Sequence, residues 1–166
     1  MAGRGFIIRD YRPADFESLW HIDQLCFVPG ISYSKIELSS FISRRNAITL
    51  VGESRDDSPT EASRQAASGD RIAGFVVAHS LHRKCGRVIT LDIVPEARRS
   101  GLGTGLMSAC EERLRALGCR EVYLETAVDN EPALRLYRKL GYEVLRTLPE
   151  YYASHSLDAF QMGKRL

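Results

Sequence analysis

The stretch Arg98-Arg-Ser-Gly-Leu-Gly-Thr-Gly-Leu106 places three glycines and two arginines within nine residues. A run rich in β-branched residues, 87–94, ends at Pro95 just before it, and apolar residues at helical spacing follow it. Glycine lets a backbone turn sharply and approach a ligand closely. The free N–H groups and the dipole at a helix start favour an anion. The stretch therefore predicts a strand, a phosphate-binding or pyrophosphate-binding loop, and a helix.

Two familiar kinds of phosphate loop do not fit this stretch. A Walker loop requires Gly-Lys-Ser/Thr, which does not occur here, and a dinucleotide fingerprint requires G-x-G-x-x-G, whereas the spacing here is G-x-G-x-G. A third pattern, R-x-x-G-x-G, is met by Arg98, Gly101 and Gly103. A glycine-rich turn that only starts a helix stays open as the simplest interpretation.

Periodicity on both sides of the loop predicts alternating strands and helices. We expect strands over residues 6–9, 48–51, 72–81, 87–94, 121–126, 142–148 and 159–166, and helices over about 13–27, 34–44, 103–117 and 131–140. Residues 53–70 are polar, with no large apolar side chain, and predict a flexible surface loop. The order of elements indicates an α/β fold with a mixed sheet, in a single domain over residues 1–166.

Composition argues against several classes of protein. The net charge is only +2, from 23 Lys and Arg against 21 Asp and Glu, so we expect no nucleic-acid partner. No apolar run approaches the length of a transmembrane helix, so we expect no membrane partner. Four widely spaced cysteines without a C-x-x-C pair are typical of reduced thiols. With no leader-like segment at the N-terminus, we expect a cytoplasmic location.

The R-x-x-G-x-G pattern resembles the acetyl-coenzyme A loop of the GNAT acetyltransferase superfamily. The segment Leu124–Tyr142 resembles that family's "LE…N…A…LY…GF/Y" pattern, and Tyr151–Met162 resembles the closing segment of ribosomal-protein-alanine N-acetyltransferases and related protein N-terminal acetyltransferases. The resemblance covers residues 72–162. It implies the GNAT fold, a mixed central sheet of about six to seven strands flanked by four helices.

The resemblance also implies an activity and its partners. Acetyl-CoA would be the co-substrate, and its acetyl group would pass to a primary amine, foremost the N-terminal α-amine of a protein such as a ribosomal protein. Acetylation of a small-molecule amine and CoA binding without catalysis are the alternatives. An α-amino group, with a pKa near ~8, is partly neutral at neutral pH, whereas lysine, near ~10.4, is almost wholly charged. An N-terminus therefore needs only a weak base.

Two catalytic residues follow from the matching positions. Glu125 is the candidate general base, and its alternative is a carboxylate that only pairs with Arg120 or Arg135. Tyr137 is the candidate general acid, because a phenol keeps its proton at neutral pH and can give it to a departing thiolate. Its alternative is a buried helix tyrosine with one structural hydrogen bond.

Further residues would bind the co-substrate, again by resemblance. The backbone N–H groups of Ile93 and Val94 would polarise the thioester carbonyl. Asn130 would bind the pantetheine arm, and Tyr137 would also contact the co-substrate. The pyrophosphate would be held by Arg98, Arg99, Gly101, Leu102, Gly103 and Thr104.

We expect no metal site. The spacing His79-x-x-His82-x-x-Cys85 spans a strand end and a turn, and no fourth ligand follows at zinc-like spacing. The choice of acceptor is expected to depend on residues 26–41, Glu125 and residues 151–158.

Overall fold

The computed structural model describes residues 5–55 and 71–166. Within these residues seven strands form one sheet in the order β1-β2-β3-β4-β5-β7-β6. The strands are β1 (Phe6–Asp10), β2 (Ala47–Ser54), β3 (Ile72–Leu81), β4 (Cys85–Ile93), β5 (Glu121–Ala127), β6 (Glu143–Tyr152) and β7 (Leu157–Arg165). The α-helices are α1 (Phe16–Cys26), α2 (Lys35–Ile42), α3 (Leu102–Ala116) and α4 (Glu131–Lys139).

The predicted order of elements and the mixed sheet are confirmed, and the boundaries agree to within two residues except at three places. The strand predicted over 48–51 continues to Ser54, because Phe6 to Asp10 of β1 pair along it. Residues 53 and 54 of the predicted loop are therefore strand, and residues 56–70 lie outside the described residues. A short 3₁₀ turn, Pro13–Asp15, precedes α1, and β6 runs on to Tyr152 through its pairing with β7.

The sheet splits between β4 and β5. These two strands are its parallel pair and are connected through α3, whereas the other neighbouring strands are antiparallel. Their pairing covers only residues 85–87 with 121–123. On the other edge of β4, Ala78 pairs with Val88 and Val77 with Thr90, which leaves one extra residue in β4. Such a bulge bends its strand and re-aims the side chains beyond it.

Helices cover both faces of this sheet and bury one apolar core. Leu19 and Ile22 of α1 are fully buried, as are Leu106 and Leu114 of α3. Gly86 lets α3 approach β4 closely, because a Cβ atom there would lie 2.8 Å from Leu114 Cδ1. No helix of the described chain is both long and apolar enough to span a membrane.

Candidate active site

A cavity of about 550 Å³ lies where β4 and β5 separate. Its walls come from the middle of β4, the second half of β5, the start of α4, the loop after α1 and the loop after β6. Glu125, Asn130 and Tyr137 all line it. Three residues chosen from the sequence for separate chemical roles are thus brought to one cavity.

The Glu125 carboxylate is oriented by two side chains. Its side chain is only 9% exposed, and Arg87 Nε donates to Oε2 at 3.2 Å. Gln161 Nε2 donates to Oε1 at 3.3 Å. Arg87, rather than Arg120 or Arg135, is therefore the ion-pair partner. Each carboxylate oxygen has a second lone pair, so the group can still accept a proton from the cavity.

Tyr137 presents a phenol in its protonated form. Burial raises the pKa of Tyr137 well above its ordinary value. Within the described residues its hydroxyl makes no hydrogen bond, unlike the hydroxyl of its neighbour Tyr142, which donates to Glu111 Oε1 at 2.9 Å. The Tyr137 proton is therefore retained, and the hydroxyl is free to donate it to a group in the cavity.

The side chain of Asn130 has two polar groups, of which one caps a helix and the other is available to a ligand. Asn130 is the N-cap of α4, where its side-chain oxygen accepts from the Ala133 N–H at 3.3 Å. An asparagine N-cap satisfies one of the N–H groups that a helix start leaves unpaired. The Nδ2 amide is then the group that can donate to a ligand carbonyl.

The glycine-rich loop forms the start of α3. Gly101 is the N-cap and has φ +89°, a left-handed conformation that favours glycine, with open space where a Cβ would lie. The side chain of Leu102 is buried, whereas Thr104 is partly exposed, so Leu102 can offer a ligand only its backbone. A Cβ at Gly103 would lie 3.3 Å from Leu136 of α4. The first turn of α3 has the backbone geometry that suits a diphosphate.

The two arginines before this loop differ in their contacts. Arg98 turns back, and its Nε donates to Ile93 O at 3.0 Å while Nη2 lies 3.7 Å from Cys26 Sγ. Arg99 is exposed at φ +60° and has no such contact. Among the described residues, the guanidinium of Arg99 is therefore unengaged, whereas the Nε of Arg98 is held at the end of β4.

The two candidate donors for a thioester carbonyl are not equivalent. The Val94 N–H donates to Ala73 O at 2.9 Å, across to β3. Opposite residues of antiparallel strands alternate between bonded and non-bonded pairs, so Ile93, opposite Gly74, directs its N–H away from β3. Ile93 is therefore the better candidate for the oxyanion donor.

The loops after α1 and after β6 meet beside the cavity. Ser154 Oγ donates to Gly30 O at 3.2 Å, and His155 Nε2 lies 2.8 Å from Pro29 O. Tyr33 and His155 line the cavity from these loops, and Tyr152 lines it from the end of β6. The segments around Tyr33 and Tyr152 were expected to shape the acceptor groove. His155 lies within the predicted residues 151–158, but no local pattern in the sequence marks its contact with the loop after α1.

The histidine considered as a metal ligand has a structural partner instead. His79 is buried, and its Nε2 lies 2.9 Å from Phe41 O. Over residues 5–55 and 71–166, no group of three His, Cys, Asp or Glu side chains is arranged to hold a metal ion.

One curated relative aligns with half of this chain. The N-alpha-acetyltransferase of Sulfurisphaera tokodaii is 38% identical over 84 residues, which are 50% of this chain and 50% of that protein. The chain thus aligns with about half the length of that relative.

Solved structures resemble the whole fold. Ard1 from Thermoplasma volcanium has a TM-score of 0.80 at 25% identity and covers 97% of both chains. Arabidopsis thaliana NAA60 in complex with acetyl-CoA has a TM-score of 0.79 at 20% identity and covers 98% of this chain and 100% of its own. The ribosomal-protein-S18-alanine N-acetyltransferase from Escherichia coli has a TM-score of 0.77 at 18% identity, covering 97% and 94%.

The sequence of the chain also matches a model of a whole family. That model, described as the acetyltransferase (GNAT) family, covers residues 16–142, which is most of the chain and includes the glycine loop, Glu125 and Tyr137. The resemblance stated from the sequence is confirmed at this level. The chain belongs to the acetyltransferase (GNAT) family.

Proposed function

We propose that this protein transfers the acetyl group of acetyl-CoA to the N-terminal α-amine of a protein or peptide. The observation that carries the proposal is the cavity at the split between β4 and β5, which Glu125, Asn130 and Tyr137 line together. The relative from Sulfurisphaera tokodaii bears the name of this activity, and the NAA60 structure contains acetyl-CoA. Both support the proposal.

Acetyl-CoA would enter as a substrate along the split in the sheet. Its pyrophosphate would meet the first-turn N–H groups of α3 and the exposed Arg99, since a helix start favours an anion. Asn130 Nδ2 would donate to a carbonyl of the pantetheine arm, and the Ile93 N–H would polarise the thioester carbonyl. Residues already held by the fold would thus orient the thioester.

The amine would attack the thioester carbonyl carbon directly. A C–N bond forms, the C–S bond breaks, one amine proton passes to Glu125 directly or through a water, and the thiolate takes the proton of Tyr137. Holding two reactants side by side lowers the barrier by several kcal/mol, up to roughly 7–11 kcal/mol in well-aligned systems. An α-amine, partly neutral at neutral pH, suits a carboxylate that Arg87 and Gln161 hold in place.

An acceptor panel tests the proposal. The purified protein is incubated with acetyl-CoA and free peptides, including N-termini of ribosomal proteins, and the products are located by mass spectrometry. We expect acetylation of the α-amine. Matched peptides with a blocked N-terminus and a free lysine are the control and should stay unmodified. Turnover confined to a polyamine or another small amine would contradict the proposal, and CoA binding without any turnover would indicate a binding module.

The proposal includes a cytoplasmic location. All four cysteines are free thiols in the structure, as is usual for proteins of reducing compartments. Labelling of intact cells and of lysates with a thiol reagent, followed by fractionation, would test it.

A further inference from the structure

Two aspartates are buried next to the cavity, and the reaction outlined above uses neither. Asp23 belongs to α1 and Asp92 to β4, and both residues are 0% exposed. Their carboxyl groups are in hydrogen-bond contact with each other. Two carboxyl groups of different elements thus meet inside the apolar core.

Their oxygens are only half satisfied by N–H and O–H donors. Asp23 Oδ2 accepts from the Tyr33 N–H at 2.7 Å and from Gln24 Nε2 at 3.0 Å. Asp92 Oδ1 accepts from the Thr90 hydroxyl in a short hydrogen bond. Asp23 Oδ1 and Asp92 Oδ2 have no donor among the described residues. Because an ionised carboxylate only accepts hydrogen bonds, a hydrogen bond between the two carboxyl groups requires a proton on one of them.

We propose that Asp23 and Asp92 share one proton and act as a positioning pair that joins the acceptor loop after α1 to the split strand β4. In this arrangement Asp92 Oδ2 donates to Asp23 Oδ1. The pair thereby holds the Tyr33 backbone on one wall of the cavity and the Thr90 side chain on another.

The surroundings decide which carboxyl carries the proton. Asp23 accepts two N–H donors, which favour its ionised form, whereas Asp92 accepts a single hydroxyl. Burial raises the pKa of Asp92, and the charge of Asp23 raises it further. Burial also raises the pKa of Asp23. Two like charges at such short range in a core cannot both ionise readily, so the pair carries one charge.

Several charged and titratable groups from neighbouring elements act on the pair. Arg98 favours the ionised form of Asp92, while Glu37 of α2 opposes ionisation of Asp23. Cys26, Tyr33 and Tyr137 also face Asp92, and a negative charge on Asp92 would raise the pKa of each of them. Arg98 is the one cation that the described residues set beside the pair, so loss of the shared proton would leave a second negative charge in the core beside the cavity.

The pair reaches both walls through the backbone and one side chain. The Tyr33 N–H is held by Asp23, and Tyr33 O accepts from Trp20 Nε1 at 3.1 Å and from Gln24 Nε2 at 2.9 Å. Thr90 directly follows the extra residue of the β4 bulge. Both Tyr33 and Thr90 line the cavity. This positioning role rests on the proposed function, whereas the shared proton does not.

The shared proton is tested without any substrate. Asp92→Asn keeps the shape, because its amide can donate to Asp23 and its oxygen can accept from Thr90, but it carries no titrating proton. Above the ordinary aspartate pKa of about 4, the folded protein alone retains this proton, so raising the pH favours unfolding. We expect the unfolding equilibrium constant of the parent protein to rise about tenfold more per pH unit than that of Asp92→Asn, until the folded pair ionises.

The matched control is Asp10→Asn, at an exposed aspartate paired with Arg113, which should keep the pH dependence of the parent protein. The infrared band of a protonated carboxyl at neutral pH should be present in the parent protein and lost in Asp92→Asn. Equal pH dependence of unfolding in the parent protein and in Asp92→Asn overturns the shared proton. If Asp92→Asn does not fold, Asp23→Asn makes the same comparison.

The positioning role is tested by kinetics with a peptide acceptor. We expect Asp92→Ala to raise the KM for the peptide severalfold with little change in the KM for acetyl-CoA, and Asp92→Asn to restore it at neutral pH. The parent protein should also show an alkaline rise in peptide KM that Asp92→Asn lacks. An unchanged peptide KM in Asp92→Ala overturns the role. If no peptide is acetylated, the proposed function fails, while the unfolding comparison still decides the shared proton.

Discussion

At the scale of single residues, the proposed chemistry depends on three polar groups that line the cavity. Hydrogen bonds orient the Glu125 carboxylate, and the Tyr137 hydroxyl makes no hydrogen bond among the described residues. The oxygen of the Asn130 amide caps α4, and its nitrogen is available to the cavity. Each of these side chains can be replaced by one that differs from it in only one or two atoms. The resulting variants separate a chemical role from a structural one.

Glu125→Gln should lower kcat by roughly 10²-fold or more, the usual contribution of a general base, and change the shape of the pH–rate profile. The amide cannot take a proton, yet it keeps the size of the side chain. Steady-state rates across the pH range measure this effect. Glu121→Gln, on an exposed position of the same strand, is the control and should behave as the parent protein. A pH profile identical to that of the parent protein would refute the role of base.

Tyr137→Phe and Tyr142→Phe should have opposite effects. The Tyr137 hydroxyl makes no hydrogen bond among the described residues, so its removal should lower kcat by about 10²-fold or more with little change in stability. The Tyr142 hydroxyl donates to buried Glu111, so its removal should cost about 1–3 kcal/mol of unfolding free energy and leave kcat intact. Denaturant titration and steady-state rates separate the two. Unaltered turnover in Tyr137→Phe would remove Tyr137 from the mechanism.

At the scale of elements, the bulge in β4 and the start of α3 shape the site. The extra residue of β4 lies just beyond the last pair with β5, and the cavity begins there. Gly101 then starts α3 from a left-handed conformation. In the proposed complex, the backbone at these two places would make room for a long substrate and offer N–H groups to its phosphates.

Gly101→Val should weaken the binding of acetyl-CoA. A side chain at φ +89° strains the backbone by about 1–2 kcal/mol, and relief of that strain re-aims the first-turn N–H groups. Gly118→Val is a matched control, because Gly118 has φ +87° and equally open space, at the far end of the same helix. Calorimetric titration measures both affinities. If the two variants bind acetyl-CoA equally well, the N–H groups of α3 do not hold the pyrophosphate.

At the scale of the whole molecule, ligand binding should increase the free energy of unfolding and the Tm. A ligand that binds only the folded state adds about 2.7 kcal/mol at one hundred times its Kd, which corresponds to several degrees in Tm for a chain of this size. We expect this shift with acetyl-CoA, a smaller shift in Gly101→Val, and none with ATP or NAD at equal concentration. Differential scanning fluorimetry measures it. A larger shift with either nucleotide would favour a nucleotide-binding protein over an acetyltransferase.

Much of the fold and part of the site follow from local patterns in the chain. Periodicity in apolar residues, with proline and glycine at the ends, predicts all eleven helices and strands of the described chain in their order. The motif residues Glu125, Asn130 and Tyr137 line one cavity because β5 and α4, which carry them, follow each other directly in the chain. The Gly101 loop is likewise a property of consecutive residues, so it could be read directly.

What the tertiary structure alone decided depends on contacts between distant parts of the chain. Arg87 meets Glu125 through the register of β4 against β5, and no sequence pattern specifies that register. Asp92 meets Asp23 because a bulge re-aims β4 toward α1. Asp92 occupies a position of β4 at which the alternating pattern predicts a buried side chain, so the sequence could have indicated a buried acid. It could not have indicated that Asp23 is its partner. Local preferences determine elements, whereas the pairing of buried charges is settled only when the elements pack and exclude water.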